Sequence, residues 1–186
     1  GAPLVPGDLL GNTEFLTPFE LNANDPRHLV IGARDAVYES TDQGNTLREH
    51  AGTGIVTALA YGDRPGGPSP DVLYVGSGDQ VFVRTTGSGP PALAGKIDGV
   101  GIIDDIAINP AKVGEAYAVA LLNNAETGVS GVFRSKDNGA TWENITGNLP
   151  NVRLVTVAYV PGEHTDLIVV GGQRGVFATT TSPATI

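Results

Sequence analysis

The sequence has 186 residues, a formal net charge of −9 and no cysteine. Its few basic residues are scattered, which argues against nucleic-acid binding, and the absence of cysteine excludes disulfides and thiolate metal sites. No apolar run approaches the roughly 20 residues that span a bilayer, so we expect no membrane insertion.

The chain contains four similar segments, each an apolar, β-rich run that contains an aromatic residue near its end. These aromatic residues are Tyr38, Phe82, Phe133 and Phe177, which lie 44, 51 and 44 positions apart. A period in the mid-forties with several short strands in each unit is typical of the blades of a β-propeller. We therefore predict an all-β fold of about four four-stranded antiparallel blades, in an arc that could form half of a larger propeller.

In chain order, the predicted blades occupy one propeller segment, at residues 14–50, 54–98, 101–148 and 152–182. The first blade has predicted strands at 16–22, 28–32, 36–40 and 46–50. The second has predicted strands at 55–61, 72–76, 80–85 and 92–97. The third, which carries an insertion, has predicted strands at 102–109, 116–122, 131–135 and 141–146. The fourth has three, at 152–160, 166–171 and 175–180, with no room for a convincing fourth strand.

The two ends of the chain raise the question of how the arc is completed. Residues 1–13 are predicted to be the end of a preceding blade or a closing strand, because residues 4–10 resemble residues 144–150. Since residue 1 is glycine and methionine is absent, we expect a processed form or a piece of a longer protein. An open arc would expose apolar surface at both ends. Another polypeptide, a second copy, or closure by residues 3–5 would cover it, and we favour the fragment or two-part assembly.

Two turns share the pattern S-x-D-x-G-x-T, followed by an apolar residue. The first contains Ser40, Asp42, Gly44 and Thr46, and the second contains Ser135, Asp137, Gly139, Thr141 and Trp142. In such a turn the aspartate can accept backbone N–H bonds, the glycine supplies a positive φ, and the hydroxyl groups bond across the hairpin. We predict that these residues hold the hairpins between the third and fourth strands of their blades.

These turns resemble the Asp-box, or BNR repeat, found in propellers of sialidases, xyloglucanase-type glycoside hydrolases and sortilin (Vps10) receptors. Residues 131–145 are most similar to sortilin-like and xyloglucanase-like repeats, and the resemblance extends from about residue 15 to residue 180. It implies a propeller in which the box residues are structural and remote from any active site. The arginines of the chain lack the context of a sialidase first blade, which argues against sialidase activity.

Two aspartates are the candidate catalytic residues. Glycosidases need two carboxylates that face the sugar, roughly 5 to 10 Å apart. Asp35 and Asp79 lie at equivalent places, in the loops between the second and third strands of the first two blades. The resemblance to xyloglucanase-like enzymes implies a catalytic aspartate in such a loop, with Asp35 as the better match, although aspartate is also typical of plain turns. Asp104 and Asp105 open the predicted first strand of the third blade and could also face the channel. Neighbouring strand residues point to opposite faces, so the two cannot act as one catalytic pair, and we favour a solvated loop.

These patterns support two functional hypotheses. The first is a non-catalytic Asp-box propeller scaffold or binding module, within a larger exported protein or a two-part assembly that is secreted, periplasmic or at the cell surface. Its expected partner is protein, either the rest of the propeller or a second copy, and carbohydrate is a further candidate ligand. The alternative is half of a xyloglucanase-like glycoside hydrolase. No metal or cofactor is expected, and the loops 62–71 and 121–130 are candidate binding loops.

Overall fold

The structure is a computed structural model that describes residues 16–63, 67, 70–123, 128–163 and 165–180. Its described part contains 15 strands and no helix, and accordingly no helix there could cross a membrane. The strands form four antiparallel sheets in which each strand pairs with its neighbour in the chain. This arrangement confirms the predicted all-β fold of about four meandering blades.

Each sheet is one blade, and we number the blades 1 to 4. Blade 1 contains β1 (Phe19–Leu21), β2 (Leu29–Gly32), β3 (Ala36–Ser40) and β4 (Arg48–Ala51). Blade 2 contains β5 (Ala58–Tyr61), β6 (Leu73–Ser77), β7 (Gln80–Arg84) and β8 (Ala92–Lys96). Blade 3 contains β9 (Val100–Ile108), β10 (Ala116–Leu122), β11 (Ser130–Ser135) and β12 (Glu143–Asn144). Blade 4 has three strands among the described residues, β13 (Leu154–Val160), β14 (Leu167–Gly172) and β15 (Gly175–Thr180).

The four blades stack face to face in chain order. β5 contacts β1 and β2 of the preceding blade, β9 contacts β5 and β6, and β13 contacts β9 and β10. An apolar core lies in each of the three spaces between blades. Because the first strands of successive blades contact one another, they converge on one side, as blades do around a propeller axis. We call this the axial side.

The position of a strand in the stack explains its burial more than its composition does, since β3 and β11 both contain buried polar residues. β3 and β11 are buried along their whole length, because neighbours cover both of their faces. Short turns return the chain between strands, and glycines supply positive φ where the turn requires it, as at Gly78 between β6 and β7 (φ 59°).

Strand bounds differ from the prediction at a few places. β1 is shorter than predicted because Pro18, just before it, has no N–H to donate to a ladder. β12 covers two residues only, since the preceding turn extends to Thr141 before pairing resumes. β9 begins two residues earlier than predicted, at Val100. The predictions for residues 1–13 and for closure by residues 3–5 lie outside the described residues, as do parts of both candidate binding loops.

Candidate functional site

Asp35 and Asp79 lie in equivalent turns, between β2 and β3 and between β6 and β7. The backbone carbonyl of Asp35 accepts a hydrogen bond from the N–H of Gly52 (2.8 Å), and that of Asp79 accepts one from the N–H of Ile97 (2.8 Å). Each bond ties the turn to the residue that follows the fourth strand of its blade. Asp35 is exposed and Asp79 is half-buried. These contacts are those of turn residues, and the catalytic role of the two aspartates stays a prediction.

In the first S-x-D-x-G-x-T turn, every polar side chain of the pattern bonds within the turn. Asp42 Oδ1 accepts hydrogen bonds from Ser40 Oγ (2.9 Å) and from the N–H of Thr46 (2.8 Å). Asp42 Oδ2 accepts a third bond from Thr46 Oγ1 (2.8 Å), and the N–H of Gly44 donates to Ser40 Oγ (2.8 Å). These bonds lower the pKa of Asp42, with the backbone bond from Thr46 as the largest cause. Gly44 has φ 85°, a value that favours glycine.

The second turn repeats this geometry in blade 3. Asp137 accepts hydrogen bonds from Ser135 Oγ (2.9 Å), the N–H of Thr141 (2.9 Å) and Thr141 Oγ1 (2.6 Å). The N–H of Gly139, at φ 81°, donates to Ser135 Oγ (2.9 Å). Trp142 closes the turn by donating its Nε1–H to the carbonyl of Gly139 (3.0 Å). In both turns the aspartate carboxylate is therefore engaged by its own turn.

A buried polar cluster between blades 1 and 2 has no counterpart in the sequence predictions. Glu39, near the end of β3, accepts hydrogen bonds from Tyr61 Oη (2.6 Å), Arg84 Nη1 (2.8 Å) and Arg84 Nη2 (2.7 Å). His50 Nε2 lies 2.9 Å from Glu39 Oε2. All four side chains are at most 5% exposed, so the cluster is closed to solvent. The one signal in the sequence is a glutamate inside an otherwise apolar third strand.

Burial and hydrogen bonding act against each other in this cluster. Burial alone would raise the pKa of Glu39, but the bonds from Arg84, His50 and Tyr61 outweigh it and hold that pKa well below its usual range. Burial, followed by the hydrogen bond to Glu39, raises the pKa of Tyr61 to about 12. The Arg84 guanidinium also lies 5.7 Å from the centre of the Tyr61 ring. The cluster thus holds a satisfied ion pair that joins the two blades.

Asp104 and Asp105 correct the prediction of a solvated loop. Both lie inside β9, and the pairing of β9 with β10 shifts between Val119 and Ala120, which leaves Asp104 as the extra residue of a β-bulge. Asp104 forms an ion pair with Arg153, with Arg153 Nη2 2.6 Å from Asp104 Oδ1.

Asp105 reaches the same neighbouring blade as Asp104. Its Oδ2 accepts bonds from Thr156 Oγ1 (2.8 Å) and the N–H of Val157 (2.8 Å). Because the bulge breaks the alternation of the strand, two consecutive aspartates both contact residues of blade 4 or the segment leading to it. Burial is the largest cause that raises the pKa of Asp105. The pair therefore links blades 3 and 4.

An open cleft lies on the axial side, where the first strands converge. Residues of all four blades line it, among them Glu20, Tyr61, Ile108 and Tyr159. Partial burial of the Glu20 carboxyl group, followed by the negative charge of Asp105, raises the pKa of Glu20. Asp63 also lines the cleft and accepts a hydrogen bond from Asn24 Nδ2 (2.8 Å). A carboxyl group with a raised pKa in a cleft is a candidate for proton transfer, although Glu20 itself lies on the exposed strand β1.

A second groove runs between β8 and the second turn. Its lining includes Lys96, Asp98, Phe133, Trp142 and Asn144. Here the turn packs directly on blade 2. The approach is so close that a Cβ added at Gly95 would lie 2.4 Å from the carbonyl oxygen of Ala140 and 2.5 Å from that of Gly139. The groove wall is thus formed by a contact between blades.

The described residues contain no group of three His, Asp or Glu side chains that could hold a metal ion. The predicted absence of a metal or cofactor stays a prediction, since parts of the chain lie outside the described residues.

Comparison with known proteins gives similarity in structure alone. No family model matches the chain, and no curated protein matches it. An ancestral GH74 enzyme superposes with a TM-score of 0.70 at 15% identity, over 90% of this chain and 25% of that one. A GH74 enzyme of Niastella koreensis gives 0.60 at 17% identity, over 88% and 28% of the two chains. The Dos1 propeller gives 0.50 at 13% identity, over 83% and 44%.

The chain covers well under two thirds of each of these three proteins. At such low identity the likeness concerns the fold and does not extend to the chemistry. Strand order, the stacking of the sheets and these similarities together identify the chain as a partial all-β propeller.

Proposed function

We propose that the chain is a non-catalytic Asp-box propeller module, which acts as a scaffold or binding part of a larger exported protein or of a two-part assembly. This proposal rests on the observation that the polar side chains of the chain bond to one another within turns and between blades. Asp42 and Asp137 are engaged by their own turns, and Glu39 and Asp104 join one blade to the next. Chemistry-bearing residues that are committed to internal contacts support a structural role.

The assignment of the two turns to the Asp-box rests on matching geometry. In both, the serine hydroxyl bonds to the aspartate, the glycine N–H bonds to the serine, and the threonine binds both carboxylate oxygens. Both turns join the third and fourth strands of their blades, which is where the sequence resemblance places the box.

A second candidate is half of a xyloglucanase-like glycoside hydrolase. It is favoured by the similarity of the fold to two GH74 enzymes and by the axial cleft, where Glu20 has a raised pKa. Asp35 would supply one of its carboxylates, as the sequence resemblance implies, although Asp35 is not among the residues that line the cleft. Carbohydrate would be the ligand.

Hydrolysis of polysaccharide separates the two candidates. We expect the chain to release no reducing ends from xyloglucan or mixed-linkage β-glucan above a protein-free blank. The variants Asp35→Asn and Asp79→Asn would be assayed beside Glu163→Gln, a change at an exposed loop residue. Hydrolysis that is lost in Asp35→Asn and kept in Glu163→Gln would overturn the scaffold proposal in favour of the hydrolase.

A further inference from the structure

We propose that the two end faces of this chain bind the end faces of a second copy, so that two chains close a ring of eight blades. The inference deepens the proposed scaffold function and rests on it. It is carried by the exposure of residues at both ends of the arc, compared with equivalent residues inside it.

Blade 1 exposes the face that in every later blade packs on the preceding blade. The strand registers make Phe19 of β1 equivalent to Leu59, Ile106 and Val157. Those three residues are 3%, 3% and 5% exposed, whereas Phe19 is 68% exposed. Leu16, three positions earlier, is 82% exposed, while its counterparts are 0 or 1% exposed (Val56, Ile103 and Leu154). We call this surface the leading face.

Blade 4 exposes the opposite face. Val176 of β15 is equivalent to Val37, Val81 and Val132, each of which precedes the aromatic residue of its third strand. The three earlier valines are 0% exposed, whereas Val176 is 73% exposed. Among the described residues, β15 also pairs on one side only, with β14, while the third strands of the other blades pair with a fourth strand. We call this surface of blade 4 the trailing face.

The two faces are the two halves of one repeated interface. Val37 shares a core with Leu59 of the next blade. Val81 shares one with Ile106, and Val132 shares one with Val157. By this rule the partner of Val176 is a residue equivalent to Leu59, and Phe19 is such a residue. A contact between Val176 of one copy and Phe19 of another would therefore continue an interface that the chain already forms three times.

Two copies are the smallest number of chains that can form a closed ring in which both faces are buried. Within one chain Phe19 and Val176 are both exposed, so blade 4 does not cover blade 1. A contact between unlike faces closes into a ring or grows into an open filament, depending on the rotation between copies. Two arcs of four blades give eight, which lies within the usual range of about 4 to 8 blades for propellers. A two-fold axis then forms both contacts at once and leaves neither face exposed.

The sequence prediction for the first residues is consistent with this ring. Residues 1–13, which lie outside the described residues, are predicted to end a preceding blade. In the ring, the blade that precedes blade 1 is blade 4 of the partner, whose described part has no fourth strand.

The first test is the mass of the full chain in solution, measured by light scattering on a sizing column at about 1 to 100 µM. We expect twice the mass of one chain, with a compact hydrodynamic radius. A monomer over this whole range would overturn the proposal, and so would a continuous series of higher oligomers, because an open filament has no fixed size.

Single charged substitutions test which faces are used. Phe19→Glu and Val176→Glu should each raise the dimer dissociation constant at least about tenfold, since each places a charge in an apolar interface. Val113→Glu is the matched control, because Val113 is 66% exposed in the turn between β9 and β10, away from both faces. All three positions are exposed, so the variants should melt like the parent chain when monomeric. A dimer that Val176→Glu leaves unchanged would overturn the proposal.

Mixing the two variants gives the sharpest result. A copy with Phe19→Glu keeps its trailing face, and a copy with Val176→Glu keeps its leading face, so a mixture retains one of the two contacts. We expect the mixture to associate more tightly than either variant alone and less tightly than the parent chain. If the mixture had the same dissociation constant as each variant alone, unlike faces would not pair, and the proposal would be wrong. Dimerisation is independent of polysaccharide hydrolysis, so the failure of this inference and the failure of the scaffold proposal give different results.

Discussion

Glu39 makes polar contacts with three other buried side chains, and it shows how one residue can join two blades. It lies on β3, yet three of the atoms that donate hydrogen bonds to its carboxylate belong to Tyr61 and Arg84 of blade 2. Arg84 occupies the place in its strand that Ser40 occupies in β3, since each pairs with the first residue of its second strand. Blade 2 thus has an arginine at the position of the turn serine, and that arginine neutralises a buried carboxylate.

Replacing Glu39 by glutamine should strongly destabilise the fold. The change leaves the Arg84 guanidinium buried without a counter-charge, which costs about 3 kcal/mol in the free energy of unfolding. Urea denaturation would measure it, with Glu49→Gln on exposed β4 as the control, expected within about 0.5 kcal/mol of the parent. Equal losses in the two variants would contradict a special role for Glu39.

The lowered pKa of Glu39 predicts a loss of stability in acid. Because the folded pKa lies below the ordinary value of 4.5, the charged carboxylate stabilises the fold above that pH, and the contribution disappears as pH falls through the folded pKa. The free energy of unfolding should therefore fall more steeply below about pH 4.5 in the parent than in Glu39→Gln. Parallel curves for the two proteins, from denaturation at a series of pH values, would refute the linkage.

At the scale of single elements, the two S-x-D-x-G-x-T turns follow from local sequence. Each is built from residues within eight positions, and each side-chain bond of the pattern joins residues four or fewer positions apart. Turn chemistry of this kind is set mainly by the local sequence. This is why the turn residues could be named from the sequence. The bulge at Asp104 could not be predicted, because it is defined by the register between β9 and β10.

Removing the carboxylate of the second turn should weaken it. Asp137→Ala leaves the N–H and the hydroxyl of Thr141 without their acceptor. We expect a melting temperature lower by about 3 °C, a small effect because the turn is exposed and water can replace the bonds. Asp98→Ala, at an exposed ion pair with Lys96, is the control and should melt within about 1 °C of the parent.

The packing of that turn on β8 requires glycine at position 95. In Gly95→Ala the new methyl group would collide with backbone carbonyl oxygens of Gly139 and Ala140, which cannot rotate away. We expect the free energy of unfolding to fall by about 1 to 3 kcal/mol. Gly89→Ala is the matched control, because a Cβ there meets no atom within 4 Å. Similar stabilities for the two variants would show that β8 and the turn do not pack as described.

At the scale of the whole molecule, the blades are joined by one interface for each neighbouring pair. Stacked repeats of this kind are stabilised by contacts with their neighbours, so polar links between blades contribute to the stability of the array. The link between blades 3 and 4 is the ion pair of Asp104 with Arg153, supported by the bonds of Asp105 to Thr156 and Val157.

A double-mutant cycle should detect this link. Asp104→Asn and Arg153→Gln remove the same ion pair, so their effects on the free energy of unfolding should be non-additive by about 1 kcal/mol. The pair Lys96→Gln and Asp98→Asn, an exposed ion pair, is the control and should show coupling near zero. Additive effects at Asp104 and Arg153 would contradict a contribution of this ion pair to blade stacking.

The sequence by itself determined the blade repeat, the strand positions and the chemistry of the turns, because these depend on periodicity and on contacts between residues a few positions apart. Only the tertiary structure decided which polar residues meet. Glu39 and Arg84 are 45 positions apart, and Asp104 and Arg153 are 49 apart. Such pairs form because each blade stacks on the next at about one repeat of sequence distance. For the same reason, no local pattern could show that Phe19 and Val176 are exposed while their counterparts are buried.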